Sequence, residues 1–261
     1  MDFKITVLGS GSSGNSVLLS SGDNGILIDA GFSRKEILSR LSKSGISPDV
    51  IKAILITHEH TDHVRGVRVL ADYLDIPTYT TYDTAQYLVD KNRIGKKKVV
   101  FDAGSPFKII DFDVQPFRIS HDAIDPVGFI VSISGVKVGF AMDLGHLDRL
   151  TKCRLKGCDA IVLESNHDVN LLKTSSRPLR LIRRIAGNFG HLSNDTAISS
   201  LSELITSSSR FLFLGHLSGE CNRAEIVEEM ALSKLTEINR PDIALSIMKQ
   251  GSPLASVLIS K

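Results

Sequence analysis

Short apolar runs rich in β-branched residues recur along the chain, each bounded by Gly, Asn, Asp or Pro. Such runs read as strands covered on both faces, because a half-exposed strand would alternate polar and apolar positions. Residues 5–8, 16–19 and 25–28 open the series, and Asp23-Asn24-Gly25 before the third marks a hairpin turn. Residues 53–56 form the next candidate. The series continues with 112–119, 128–134, 136–142, 160–163, 211–214 and 256–259.

Helical periodicity lies between these runs. Ser33 caps a predicted helix over 34–43, with Glu36 placed to complete a capping box. Residues 64–74 read as a second helix. After Asn194, the residues Ala197, Leu201, Leu204 and Ile205 share one helical face, and Ile226, Met230 and Leu235 suggest a further helix after Arg223. Strand-rich stretches come first in each half and helices flank them. This order predicts two sheets with helices outside rather than a regular βαβ alternation.

With 261 residues, 42% hydrophobic and 23% charged, the chain reads as globular with a sizeable core, and its length permits one large domain or two small ones. No apolar run reaches the roughly 18 residues of a membrane span, so no membrane partner is expected. The N-terminus enters a strand pattern directly at Met1–Ile5 and carries no signal-peptide features. Three cysteines, Cys153, Cys158 and Cys221, form no CxxC pair, which predicts free thiols and a reducing, cytoplasmic setting. The net charge of +2 neither requires nor excludes a nucleic-acid partner, and no feature sets an oligomeric state.

The chemistry concentrates in Thr57-His58-Glu59-His60-Thr61-Asp62-His63, directly after the strand at 53–56. Three of the chain's eight histidines and two carboxylates fall within six residues. His58 and His60 stand two apart, so in an extended segment they point the same way and can grip one metal ion. Asp62 and His63 follow a turn and can present an oxygen and a nitrogen to a second ion. Glu59 points the opposite way and reads as structural. A solvated surface loop is the bland alternative, but a strand running straight into such a loop is typical of a site. The HExxH spacing, with histidines four apart on a helix, is absent. Histidine and carboxylate ligands without cysteine favour zinc, manganese or iron over a thiolate site.

His58-x-His60-x-Asp62-His63 resembles the signature of the metallo-β-lactamase-fold hydrolases, and the rest of the chain follows that family in order. The resemblance covers the whole chain and implies a single domain over 1–261, a four-layer αββα sandwich, an α/β (α+β) fold of two mixed sheets flanked by helices. It implies His121 as the third histidine of the first ion, Asp143 as a bridge between two ions and His216 as the last ligand of the second, beside Asp62 and His63. Two divalent ions, zinc or manganese, are therefore the expected cofactors. Two ions roughly 3.5–4 Å apart activate water near neutral pH and stabilise both attacking and leaving oxygens. Asp62 would also orient that water.

The segments around His121-Asp122-Ala123, Asp125–Phe129, Leu163–Asp168, Gly190–Asn194 and Gly215–Ser218 resemble the YycJ-type (WalJ-type) branch. The branch implies a DNA exonuclease acting from the 5′ end and linked to DNA repair. The order Glu164, His191, His216 is also similar to tRNA 3′-processing endonucleases of this fold, where a Glu–His pair assists proton transfer to the leaving group. Here that implies His191, steadied by Glu164, as proton donor. Cys221 departs from the branch, which has a polar residue at that place.

Other candidates weigh less. Gly9-Ser10-Gly11-Ser12-Ser13-Gly14 fits GxGxxG, but strands rather than a helix follow, and a P-loop needs Lys where Asn15 stands. The loop reads as a close backbone approach to the site floor, or as N–H groups for a substrate phosphate. Asp29 reads as orienting a ligand histidine, His146 as an exposed helix-start residue, His167 as a cleft or local structural residue, and Cys221 as a small buried one. Arg93 to Lys98, in a loop, and Arg177, Arg180, Arg183 and Arg184, clustered around a helix with several on one side, are solvated basic faces or phosphate contacts. With 6% aromatics and no Trp, composition does not signal extensive base stacking. The expected function is a binuclear metal-dependent hydrolase, a phosphodiesterase or nuclease with DNA favoured over RNA as partner. The alternatives are a thioester or lactone hydrolase, an RNA-processing nuclease, and a metal-binding regulatory or scaffold protein without turnover.

Overall fold

The structure, a computed structural model, describes residues 2–259. Met1, at the head of the first strand pattern, and Ser260 and Lys261, at the end of the expected domain, lie outside the described residues. The first half supplies β1 (Phe3–Gly9), β2 (Ser16–Ser21), β3 (Asn24–Ile28), β4 (Ile51–Leu55), β5 (Thr78–Thr81) and β6 (Lys98–Phe101). The second supplies β7 (Phe107–Ile109), β8 (Phe112–Arg118), β9 (Val127–Ile133), β10 (Val136–Ala141), β11 (Ala160–Glu164), β12 (Phe211–Gly215) and β13 (Ala244–Ile247), before β14 (Val257–Ile259) returns to pair with β1. Two seven-stranded mixed sheets result, in the orders β14-β1-β2-β3-β4-β5-β6 and β13-β12-β11-β10-β9-β8-β7.

The apolar runs follow from this layering. Phe3, Ile5, Leu19, Ile26 and Ile28 of one sheet pack against Phe129, Val131, Phe140, Val162 and Phe213 of the other. The opposite face of the first sheet, with Leu8, Leu18, Leu27 and Ile54, is covered by α1 (Arg34–Lys43) and α3 (Val67–Leu74). The outer face of the second, with Ile130, Ile161, Leu163 and Leu212, is covered by α5 (Arg149–Leu155), α8 (Asn194–Leu204) and α9 (Ala224–Glu237). Both faces of the central strands are thus shielded, and each fully buried Leu, Ile or Phe contributes about 1.5–3 kcal/mol. The expected αββα sandwich is the observed fold.

The helix expected over 64–74 is two helices, α2 (Thr61–Val64) and α3, broken at Arg65-Gly66. The break lets Gly66 donate its N–H to Ala30 O at 2.8 Å, and a Cβ at Gly66 would overlap the Phe32 carbonyl. Asp62 and His63 therefore sit in a helical turn, not in a loop. Ser33 caps α1 as expected, but Glu36 turns to Arg40, at 2.7 Å, instead of closing the capping box. Sequence periodicity did not reveal β5, β6, β7, β13, α4 (Tyr82–Asp90), α5 or α6 (Val169–Thr174), whereas α7 (Leu179–Ile185) is the helix around which the four arginines cluster. β5 is Thr-Tyr-Thr-Thr, whose buried hydroxyls hide the strand, and the short helices carry few buried residues.

The sheets repeat one pairing scheme. β1-β2-β3 and β8-β9-β10 are antiparallel, and β3-β4-β5-β6 and β10-β11-β12-β13 are parallel. At the strand where pairing changes sense, each sheet ends on an aspartate with left-handed backbone: Asp29 (φ 59) after β3 and Asp143 (φ 55) after β10. The sequence shows no corresponding repeat.

The cysteines are free: Cys153 is exposed, while Cys158 and Cys221 are buried. Burial pushes the Cys158 thiol up to about 12, with Lys137 opposing and Asp159 adding to the shift. A thiol-disulfide reagent at neutral pH is expected to titrate one thiol in the folded protein and all three in denaturant. Rapid reaction of two or more in the folded state would contradict this packing.

Candidate metal centre

β4 ends at Leu55 and runs directly into residues 57–60, whose His58 and His60 meet His121 from the end of β8 in the other sheet. His60 (φ −59, ψ 146) stands at the start of α2 and sends Asp62 and His63 into its first turn. Backbone bonds hold this turn: Asn15 N–H donates to Asp62 O at 2.8 Å and Ala30 N–H to His63 O at 2.8 Å. Gly31 has to be glycine here, since a Cβ would overlap the Asp62 carbonyl. Glu59 points away as expected, nearly buried, and accepts from Ile124 N–H at 3.1 Å.

His58 and His60 share a side, their ring centroids 4.6 Å apart. His121, three residues beyond β8, joins them, with its Nε2 at 3.2 Å from His60 Nδ1. These three offer ligand atoms within 4.8 Å of one another, and so do Asp62, His63 and His216. Asp143 adjoins the second group, its Oδ2 2.8 Å from His63 Nε2 and its Oδ1 2.9 Å from His216 Nδ1, and it also forms a group of ligand atoms with His58 and His63. Asp29, Asp143 and His216 (φ 56) all hold left-handed backbone, a strain of order 1–3 kcal/mol each that the surrounding strand ends impose.

The outer partners set the histidine tautomers. His63 Nδ1 donates to Asp29 Oδ2 at 2.7 Å, His121 Nδ1 to Gly190 O at 3.1 Å and His216 Nδ1 to Glu164 Oε1 at 2.7 Å. His58 Nδ1 is 3.0 Å from Thr57 Oγ1, which itself donates to Asp29. With Nδ1 committed to these partners, each ring has its Nε2 left to serve as the ligand atom once it is deprotonated. Asp29 plays the orienting part that its place after β3 suggested.

Electrostatics divide the cluster. Burial pushes His58 well below and His121 below the usual histidine range, helped by neighbouring imidazoles. Burial acts the same way on His63 and His216, but Asp143 and Asp29 beside His63, and Asp143 beside His216, outweigh it and hold both well above. Asp143 is itself held well below the carboxylate range, since His216 and His63 overcome its burial. The half with Asp29, Asp62, Asp143 and Glu164 thus attracts positive charge.

A direct test of fit comes from orphaned atoms. His58 Nε2, Asp143 Oδ2 and His216 Nε2 are buried without a hydrogen-bond partner among the described residues. Unsatisfied buried groups cost about 1–3 kcal/mol each, and here all three face the same interior. Nitrogen and oxygen donors in this arrangement suit divalent cations.

The centre opens into a cleft of ≈ 200 Å³ lined by Ser12, His60, Asp62, His121, Asp122, Asp143, Arg177, Leu181, Arg184, Ile185, Gly190, His191 and His216. Glu164, fully buried at the end of β11, accepts from both His191 Nδ1 (2.8 Å) and His216 Nδ1 (2.7 Å). Burial lowers the His191 pKa, but the Glu164 charge and hydrogen bond more than offset it and the net shift is upward.

Some residues fall outside expectation. Asn15, read only as a non-lysine, reaches the centre: its Nδ2 is 3.1 Å from His63 Nε2 and 3.4 Å from Asp62 Oδ2, while its Oδ1 is held by Ser10 Oγ and Gly11 N–H. Its place at the close of the glycine loop was the available signal. His146 lies in the loop before α5, not at a helix start, with Nδ1 3.1 Å from Asn188 O. His167 is buried outside the ligand groups and pairs through its backbone with Ser193. Cys221 packs with Leu172 and Ile185 under α6 and α7. Arg177 and Arg184 reach the cleft, whereas in the other basic run only Arg93 touches the motif, through Thr61 Oγ1 at 2.8 Å.

The family model described as Beta-lactamase superfamily domain matches residues 24–215. The chain is similar to the exodeoxyribonuclease YycJ of Bacillus anthracis, 32% identical over 240 residues that cover 91% of this chain and 90% of that protein. It is similar to the exodeoxyribonuclease WalJ of Streptococcus pneumoniae, 34% identical over 239 residues covering 90% and 89%. The metallo-β-lactamase-fold protein YhfI of Bacillus subtilis superposes with a TM-score of 0.73 over 97% of this chain and 99% of that one, at 17% identity, a likeness of fold. Among the described residues, no helix is long and apolar enough to cross a membrane.

Proposed function

The chain belongs to the Beta-lactamase superfamily domain family of metal-dependent hydrolases, and from that premise we propose that it is an exodeoxyribonuclease, hydrolysing phosphodiester bonds at the end of a DNA strand. The observation that carries this reading is Glu164, bound at once by His191 and His216, which sets a proton donor beside the ligand cluster in a cleft lined by two arginines. Attack from the 5′ end, and a place in DNA repair, are the polarity and setting that the branch resemblance implies. A reducing cytoplasm suits the three free thiols.

His58, His60 and His121 would hold one ion, and Asp62, His63 and His216 a second, with Asp143 between them. Zinc or manganese matches this donor set. When bound, two such ions supply a water activated near neutral pH and positive charge for the phosphate oxygens. Asp62, the ligand carboxylate that reaches the cleft with 23% of its side chain exposed, orients the attacking water. His191 donates Nδ1–H to Glu164, and its raised pKa keeps a second proton on Nε2. That proton passes to the departing oxygen as the P–O bond breaks.

Metal loading has a defined pH dependence. His63 and His216 hold protons above the usual histidine range in the metal-free protein and must lose them to become ligands. Apparent metal affinity is therefore expected to fall as pH falls, and titration calorimetry at neutral pH in buffers of different ionisation enthalpy should register about two protons released. Release of none would contradict the assigned ligands.

The function is tested with purified protein, Mn²⁺ or Zn²⁺, and 5′-labelled DNA, 5′-labelled RNA and a thioester panel. Mononucleotide release from DNA supports the reading. No nucleotide release with either metal would sink it, and turnover of thioesters alone would move the protein to small-molecule hydrolysis. Full turnover by His191→Ala would remove the proton-donor assignment.

A further inference from the structure

One wall of the cleft, residues 177–191, contains α7 and ends on His191. Between Asp168 and Asp195 the chain carries five cations, Lys173, Arg177, Arg180, Arg183 and Arg184, and no carboxylate, while the whole chain nets only +2. Positive charge is therefore concentrated beside the centre. Arg177 and Arg184 line the cleft itself; Arg183, on the same helix, does not.

Both cleft arginines are only loosely committed. Arg177 Nε donates to Glu220 Oε2 at 2.9 Å, and Arg184 Nε donates to Asp122 Oδ2. Among the described residues, the terminal nitrogens of neither guanidinium make a protein hydrogen bond. Their partners come from different elements, and each pair is partly exposed, Arg177 and Glu220 at 25% and 50% of the side chain and Arg184 and Asp122 at 60% and 29%. Exposed ion pairs of this kind exchange readily, and a phosphate offers the free guanidinium nitrogens charge-assisted, bidentate bonds.

Phe189 stands two residues before His191 with 62% of its surface exposed. Its loop is pinned: Asp122 N–H donates to Phe189 O at 2.9 Å, Gly190 N–H to Gly187 O at 2.8 Å and His191 N–H to Ile185 O at 2.9 Å. A fixed backbone thus presents an apolar ring to water at the rim of a cleft whose wall is basic. Basic walls with an aromatic platform hold nucleic-acid strands by phosphate contact and base stacking.

We infer that residues 177–191 are the strand-holding element of the enzyme, with Arg177 and Arg184 binding backbone phosphates next to the scissile one and Phe189 stacking on a base. This rests on the nuclease reading and adds the residues that position the substrate.

The test uses the metal-loaded full-length protein, a 5′-labelled DNA oligonucleotide and a salt series. Arg177→Ala and Arg184→Ala are each expected to raise KM about tenfold and to lower the slope of log(kcat/KM) against log[salt] by about one. The loss should fall on KM rather than kcat. Lys at either position should restore the slope but only part of KM, since it lacks the fork geometry. Arg183→Ala removes the same charge outside the cleft and should leave KM and slope as in the wild type. Phe189→Ala should raise KM about tenfold without changing the slope. Because the chain has no Trp, Phe189→Trp provides a unique fluorophore, and its emission should change when the oligonucleotide is added. Equal effects of Arg183→Ala and Arg184→Ala, wild-type KM in both cleft variants, or an unresponsive Phe189→Trp would each overturn the inference while wild-type cleavage of DNA stands. A wild-type protein that cleaves no oligonucleotide with either metal overturns the nuclease reading instead.

Discussion

Glu164→Gln is expected to lower kcat by about 10²–10³-fold, or about 3–4 kcal/mol of barrier, and to move the alkaline limb of the pH–kcat profile to lower pH. Glu164 is fully buried and accepts four hydrogen bonds: His191 Nδ1 and His216 Nδ1 on Oε1, and the N–H groups of Leu144 (2.9 Å) and Leu192 (3.1 Å) on Oε2. Burial pushes its pKa up, yet His191 and His216 pull it down to about 2, so it is a carboxylate throughout the working range. An amide of the same shape sets its own NH₂ against two of those donors. His191 then loses the negative charge that raises its pKa, so it releases its proton at lower pH and ceases to act as an acid there.

Stability should fall with activity. Removing one member of a buried ion pair typically costs about 3–5 kcal/mol, a large share of the roughly 5–15 kcal/mol that holds a domain together. Urea unfolding of the metal-free protein measures this loss separately from catalysis. A Glu164→Gln protein with wild-type kcat, or with an unmoved alkaline limb, would show that Glu164 neither steadies nor charges His191.

Asp143→Ala is expected to have the largest effect on turnover, a loss of at least about 10³-fold, or about 4 kcal/mol, together with a lower metal content after dialysis. Among the described residues, Asp143 is the carboxylate that groups with His58 of the first ligand set as well as with His63 of the second. Its Oδ2 approaches His63 Nε2 and its Oδ1 approaches His216 Nδ1, while Oδ2 finds no hydrogen-bond partner. The substitution also removes the charge that most strongly raises His63 and His216, so both should titrate closer to the usual histidine range. Metal analysis by mass spectrometry beside kcat checks the claim. Full metal content with full activity would show that Asp143 serves only the fold, for instance its left-handed turn after β10.

Local chemistry made part of this protein legible in the chain. The buried runs identified most central strands, because strands shielded on both faces are apolar at every position, as in β2 and β11. His58, His60, Asp62 and His63 announced a centre because four candidate ligands in six residues need no folding to become neighbours. His121, Asp143, Glu164, His191 and His216 stand far from that loop in sequence, and only resemblance to a family drew them in. Their meeting is a property of two sheets that bring their strand ends to one edge.

The elements missed were those whose residues are polar or short of buried contacts, such as β5 and α6, and the helix expected at 64–74 broke because Gly66 must approach Ala30 and Phe32. Asn15 could not be placed from sequence either, since nothing near it states that a glycine loop will lie against His63. The sequence by itself determined which side chains can bind metal and which segments must be buried, since both are properties of residue type and short spacing. Tertiary structure decided how these groups meet: Asp143 against His63 and His216, Asp29 on His63 Nδ1, Glu164 on His191 and His216 together, and Arg177 and Arg184 at the cleft. Each of these depends on contacts between residues tens to hundreds of positions apart, which no local pattern encodes.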